Sequence, residues 1–287
     1  MKPTNPMRAT LLSLVALCGC PKDAQKAPEN LASEARRALA ERDKRLGRYF
    51  VEATSKQGDA VATHTFAYRA PNRLKGTLLT PQAMTLSFDG TRFFKLSPAE
   101  KKLEAFEMKL PADKAALFLT TQFSPFVPEG FRTPLLPSKG VTATKVAHPK
   151  GPEAFELVHS TPDEKGQPIT VTWHLRYPSG DFLAKATRAG AVTSEVVVDE
   201  EQCEQSLSLC VPKVVVQREN GAELGRTTFT RIDLAAEVPN DAFTLTAPEG
   251  FTVEKHELGL LAAVPRRQER AGHADSVHQR REQAPEA

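Results

Sequence analysis

The chain has 287 residues, 40% of them hydrophobic and 25% charged, with 38 Lys and Arg against 35 Asp and Glu. Such a composition is ordinary for a globular protein of one or two domains. The net charge is only +3, and no stripe of Lys and Arg is interleaved with aromatics, which argues against a nucleic-acid partner.

In chain order, the first feature is a leader. Met1 to Arg8 carries only the positive side chains Lys2 and Arg8, and Ala9 to Leu17 is apolar. A charged segment followed by a short apolar one is an export signal. It is too short to span a bilayer, which needs roughly 20 apolar residues. The leader ends in Leu17-Cys18-Gly19-Cys20, which resembles the bacterial lipobox. That resemblance implies cleavage after residue 19 and acylation of Cys20. Cys18 stands where the lipobox usually has Ala or Ser, and an ordinary cleaved signal peptide is the other reading. Acyl chains, at about 0.8 kcal/mol per buried methylene, would hold the body to a membrane. Pro21 is not the aspartate that retains lipoproteins at the inner membrane in enteric bacteria, so the expected address is the outer membrane, facing the periplasm. The domains expected are a signal peptide over 1–19, a tether over 20–29, a folded body over 30–264 and a disordered polar tail over 265–287.

The body begins with Leu31, Ala35, Ala38, Leu39, Leu46, Tyr49 and Phe50 at helical spacing, with charges on the other faces. The spacing predicts a long amphipathic helix with Asn30 as a candidate cap. From about residue 50 the period changes to two. His64–Tyr68, Met84–Phe88 and Val192–Val198 read as strands, and Ile169–Tyr177 alternates so that Ile169, Val171, Trp173, Leu175 and Tyr177 share a face. Asp89-Gly90, Pro178–Asp181 and Asn220-Gly221 punctuate strand-like runs as turns. The fold expected is mainly β, an antiparallel meander of about ten or eleven strands with one face packed.

One segment interrupts it. Pro111 to Phe123 reads as an apolar helix opened by a proline, and a proline-rich stretch with Phe126 and Phe131 follows. It reads either as a lid over the concave face or as a plug in the core. Further on, Cys203 and Cys210 form an even pair that, in an exported chain, most simply makes a disulfide between two strands.

Three segments resemble proteins of the LolA/LolB type, the periplasmic lipoprotein carriers and receptors. Tyr68 to Gly76 looks like a strand-turn-strand element containing an arginine. Leu86 to Leu96 looks like the next hairpin, where Asp89-Gly90 leads into an aromatic pair. Val238 to Phe251 is similar to the terminal strand with its Pro-x-Gly end. The resemblance implies an incomplete antiparallel barrel covered by helices, whose hollow takes acyl chains. The lining residues expected are Phe66, Tyr68, Met84, Leu86, Phe88, Trp173, Leu175 and Phe229, with Phe118 and Phe126 on the lid. Arg69 matches the motif arginine, which would meet a head group or a lid carbonyl.

No enzyme is expected. There is no Gly-x-Ser-x-Gly elbow, no Gly-rich phosphate loop and no second histidine after His256-Glu257. The seven histidines never fall at metal-ligand spacing, so neither metal nor cofactor is implied. The function expected is a membrane-anchored envelope lipoprotein binding a lipid or an acylated protein. The alternative is an envelope sensor or interaction module with a protein partner. Anchoring at Cys20 favours receiving or sensing lipid over ferrying it.

Overall fold

In the computed structural model, residues 28–259 are described, apart from 128, 133 and 135. Cys18 and Cys20, the leader over 1–19 and the tail over 265–287 lie outside the described residues, as does the end of the expected body.

Helix α1 runs over Pro28–Arg45, beginning inside the expected tether, so Asn30 lies within the helix instead of capping it. Leu31, Ala35, Leu39 and Arg42 form its buried stripe, continued by Leu46. Arg42, Lys44 and Arg45 occupy the last turn, where cations complement the helix dipole. The amide of Leu46 donates to the Arg42 carbonyl at 2.9 Å, and the chain then turns at Gly47. Tyr49 and Phe50, expected on the helix, therefore lie on a strand. Their aromatic side chains fit the pleated surface that begins at Arg48.

The strands form two antiparallel meanders. The first comprises β1 (Arg48–Gln57), β2 (Ala60–Arg69), β3 (Arg73–Thr80), β4 (Met84–Phe88), β5 (Arg92–Ser97) and β6 (Lys102–Met108). After helix α2 (Ala112–Phe123) come β7 (Val141–His148), β8 (Gly151–Pro162), β9 (Pro168–Arg176), β10 (Phe182–Ala189), β11 (Val192–Glu204), β12 (Leu209–Glu219) and β13 (Ala222–Asp233). Antiparallel pairing of β1 with β13, with Val51 opposite Ile232, fuses the two. A last strand, β14 (Thr252–Leu258), runs parallel to β6. Among the described residues the result is one sheet of fourteen strands with β14 and β7 at its edges. It is of mainly β class, as the alternation implies, and an incomplete barrel, as the resemblance implies.

Fourteen strands exceed the ten or eleven expected because several lack clean alternation. β14 is Thr-Val-Glu-Lys-His-Glu-Leu, exposed along almost its whole length. The stretch similar to a terminal strand, 238–251, is not a strand. Pro239 and Pro248 have no N–H to give a ladder, and the segment folds through a short 3₁₀ turn at Asn240–Phe243. It packs outside the sheet, where Ser87 Oγ donates to the Phe243 carbonyl at 2.6 Å and Lys75 Nζ to the Ala242 carbonyl at 3.0 Å.

The curved sheet has two cores. One lies under α1 and contains Leu39, Phe155, Leu157, Trp173, Leu175 and Phe182. The other lies under α2 and contains Tyr49, Phe66, Phe88, Phe123, Phe126 and Phe229. Cys203 and Cys210 sit opposite one another in the β11–β12 pair and are disulfide-bonded. Closing so short a loop predicts that a Cys203→Ser/Cys210→Ser variant loses about 2 kcal/mol, read as a lower denaturant midpoint with an unchanged slope.

Candidate functional site

The strands that line the α2 core place their apolar side chains inward by simple alternation: Tyr49, Val51 and Ala53 from β1, His64, Phe66 and Tyr68 from β2. Above them lies the interrupting segment. Helix α2 buries Leu119 and Phe123, and the loop behind it drives Phe126, Val127 and Phe131 into the same core. Phe126 packs flat against the β3 backbone. A Cβ on Gly76 would lie 2.6 Å from the Phe126 ring, so only glycine admits the ring at that spot.

The loop is tied down from several sides. Tyr49 Oη donates to the Phe131 carbonyl at 2.8 Å, Arg132 Nη1 to the Thr120 carbonyl at 2.9 Å, and Lys185 Nζ to Glu129 Oε1 at 2.8 Å. Arg42 Nη2 donates to the Gly130 carbonyl and Arg36 Nη2 to that of Pro137. Gly130 has φ +98°, and a Cβ there would meet Pro212 of β12 at 2.5 Å. Burial drives the Tyr49 phenol far above its ordinary range, so it serves as a neutral hydrogen-bond donor.

Between this segment and the sheet remains a cavity of about 230 Å³. Its walls are Leu46, Tyr49, Phe66, Leu119, Phe123 and Phe131. Polar groups gather at the rim, where Asp43, Asn72, Thr120 and Arg132 join Tyr68. Tyr68 Oη donates to the Pro71 carbonyl at 3.2 Å. Burial, and then the neighbouring Asp43 carboxylate, raise the Tyr68 phenol above its usual pKa. An apolar chamber with a polar rim suits a ligand with an aliphatic body and a polar end.

Of the expected lining residues, Phe66 and Tyr68 face this cavity. Met84, Leu86, Phe88 and Phe229 belong to the same core but are packed against neighbours, as are Phe118 and Phe126 from the segment above. Trp173 and Leu175 are not brought to it. They lie beneath α1 in the other core, because β9 sits beyond the β1–β13 junction. Arg69 points away from the hollow and donates to the Val238 carbonyl at 2.9 Å. Phe123 and Phe131, read from the sequence as part of the covering segment, also line the cavity, and Leu46 and Tyr49 line it without having been expected there. For Tyr49 the missed signal was the change of period after Gly47.

His64 is buried beneath Phe126, at 2% exposure, and its Nε2 has no partner. Burial holds its pKa below the ordinary 6.5, partly offset by a backbone hydrogen bond at Phe126. The unfolded chain then binds a proton that the folded one refuses, so stability is present above pH 6.5 and declines as the pH falls through that value. His148 is shifted in the same direction, first by burial and then by His174. We expect thermal midpoints to drop between about pH 7.5 and 5, and a His64→Phe variant to show a shallower drop.

Among the described residues, Glu104, Glu254 and His256 form one cluster of metal-ligating type, assembled by the parallel β6–β14 pair. Lys102 Nζ already pairs with Glu254 at 2.8 Å and Glu104 at 3.3 Å, which supplies the positive charge that an ion would bring. No described helix is long and apolar enough to cross a membrane.

The chain is similar in structure to proteins of the LolA superfamily. A domain from Vibrio parahaemolyticus described as an outer membrane lipoprotein-sorting protein domain is 11% identical over 76% of this chain and 97% of its own, with a TM-score of 0.48. A LolA superfamily protein from Nitrosomonas europaea is 9% identical over 74% of this chain and 97% of its own, with a TM-score of 0.46. MucB from Pseudomonas aeruginosa, in its complex with MucA, is 14% identical over 75% of this chain and 62% of its own, with a TM-score of 0.34. The likeness is one of fold. No known protein family and no curated protein matches the sequence.

Proposed function

We propose that this is a bacterial envelope lipoprotein, tethered through Cys20 to the periplasmic face of the outer membrane, that holds an acyl chain in the half-barrel hollow under α2. The observation that carries the reading is the cavity itself, with aromatic and aliphatic walls and a polar rim. An acyl chain suits such walls because each buried methylene gains about 0.8 kcal/mol without needing a directional contact. The lipid anchor confines the body to a surface, which fits receiving or sensing lipid and not carrying it across the periplasm. No catalytic constellation enters this reading.

A second reading, an envelope sensor or protein-interaction module, draws support from the size of the chamber. At about 230 Å³ it falls below the roughly 300–1,000 Å³ of sites for drug-sized ligands. Lipid extracted from the purified full chain bearing Cys20→Ser, measured by mass spectrometry, separates the two. The acyl reading expects stoichiometric phospholipid or acylated peptide; a chamber empty in repeated preparations ends it in favour of the interaction module.

Ala116 offers a sharper probe, since it lines the cavity from an exposed position on α2. An Ala116→Trp variant fills the chamber without removing a buried contact. Affinity for a fluorescent fatty acid is expected to fall by a factor of ten or more, about 1.4 kcal/mol, while the unfolding midpoint stays in place.

A further inference from the structure

At the same rim as the cavity, but on the outer face of the sheet, lies a groove of about 830 Å³. Leu46 and Tyr68 line the cavity, and their chain neighbours Gly47 and Arg69 line the groove. The alternation of strand side chains sends one set inward and the next outward. Five cationic side chains line it: Lys44, Arg45, Arg48, Arg69 and Arg231.

What distinguishes three of these cations, Arg45, Arg48 and Arg69, is that none of them forms an ion pair with a carboxylate among the described residues. Arg48 and Arg69 sit directly opposite one another in the β1–β2 pair, an arrangement that repels unless an anion lies between. Arg48 has no partner among the described residues. Arg69 bonds only the Val238 carbonyl. Arg45 donates only to the carbonyls of Ser179, at 2.9 Å, and Ser208, at 2.5 Å, and its Nε is shielded from solvent without a partner.

Of the two carboxylates in the groove, Glu204 is engaged elsewhere, and Asp233 answers only Arg231, which also lies 3.6 Å from Glu52. Glu204 Oε1 accepts from the amide and hydroxyl of Ser206 at 3.1 and 2.7 Å. Asp233 Oδ1 accepts from the Ala235 amide at 3.1 Å, and its Oδ2 lies 3.7 Å from Arg231. Lys44 pairs with Glu41 at 2.7 Å in an exposed contact, the kind worth little in water.

The geometry points to this groove as a docking site for the anionic phosphate head groups of membrane lipids, presenting the cavity rim to the bilayer. A planar guanidinium matches phosphate oxygens in a fork, and the groove offers three arginines without a carboxylate. The choice of a lipid over another phosphate rests on the neighbouring cavity, and so on the acyl-chain reading above.

The test uses the full chain bearing Cys20→Ser, so that its own acyl chains do not drive association. Flotation is measured with phosphatidylcholine vesicles and with vesicles of phosphatidylcholine and phosphatidylglycerol in equal parts. Binding is expected to the anionic vesicles only, and to weaken as salt is raised. Replacing the exposed pair, Lys44→Glu/Arg48→Glu, is expected to weaken it by about 30-fold or more, from the usual contribution of a juxtamembrane cation. Arg48→Lys is expected to retain most of it.

Equal binding to neutral vesicles, no binding to either, or anionic binding that ignores the double substitution overturns the proposal. Titration with inorganic phosphate is the remaining arm. Saturable phosphate binding without vesicle binding assigns the groove to a free anion and overturns the lipid source. Fatty-acid binding is read on the same samples. Vesicle docking that depends on Lys44 and Arg48, in a protein that takes up no acyl probe, sinks the cavity reading and leaves the groove.

Discussion

An Arg42→Met variant is expected to lose about 3–5 kcal/mol of folding stability, the usual penalty for breaking one side of a buried ion pair. Arg42 is 1% exposed and lies in the buried stripe of α1. Its Nε sits 3.4 Å from Asp181 Oδ1, with the two side chains 1% and 3% exposed, and its Nη2 donates to the Gly130 carbonyl. One guanidinium thus joins three separate pieces: the helix, the β9–β10 turn and the loop that covers the cavity. Burial pulls its pKa down and the Asp181 charge pushes it back, so the pair is held together by mutual compensation.

Removing the cation leaves Asp181 with Ser179 Oγ at 2.7 Å and Arg176 Nε at 3.9 Å, and Arg176 is already committed to Glu201 at 2.6 and 2.8 Å. The carboxylate then stays buried and undercompensated. Neutralising both partners in Arg42→Met/Asp181→Asn removes that cost, and the double variant is expected to recover most of the loss. Urea unfolding of the four proteins in the cycle measures it. A double variant as unstable as the sum of the singles would show that the charge pairing is not what Arg42 contributes.

Arg42 also marks the boundary of what can be read from a sequence. The stripe Leu31, Ala35, Leu39 and Leu46 announces a helix and its packed face, and the strand from Ile169 announces its inward set, because both follow from local periods. The helix after Pro111 and the cysteine pair are equally local. Arg42 reads in the sequence as one of the charges on the other faces of that helix, yet it lies in the buried stripe, because its partner comes from a turn on another strand pair. The same limit hid the β1–β13 junction, which sends Trp173 and Leu175 to one core and Phe66 to the other. Pairing between strands at opposite ends of a chain leaves no periodic trace. Nor does the opposition of Arg48 and Arg69, which depends on the β1–β2 register alone and looks, residue by residue, like ordinary solvated charge.

The contact between Phe126 and Gly76 gives a further large effect, and it shows whether the segment above the sheet is a fitted lid. Phe126→Ala removes a ring that is 1% exposed and should destabilise the protein by about 3–5 kcal/mol. The void opens next to Phe123, whose ring centroid lies 6.3 Å from that of Phe126 and which lines the cavity. Longer acyl probes should therefore bind better relative to short ones than they do in the wild type. Gly76→Ala attacks the same contact from the backbone side, where the new methyl would stand 2.6 Å from the ring. The strand is held between β2 and β4, so the ring must yield, at an expected cost of about 1–3 kcal/mol. With the ring gone that methyl has room, and Gly76→Ala/Phe126→Ala is expected to be more stable than the summed losses predict, by an interaction of about 0.5–3 kcal/mol. Strict additivity in denaturant unfolding, with no change in probe-length preference, would mean that Phe126 is not seated on Gly76 in solution and that α2 covers the hollow loosely.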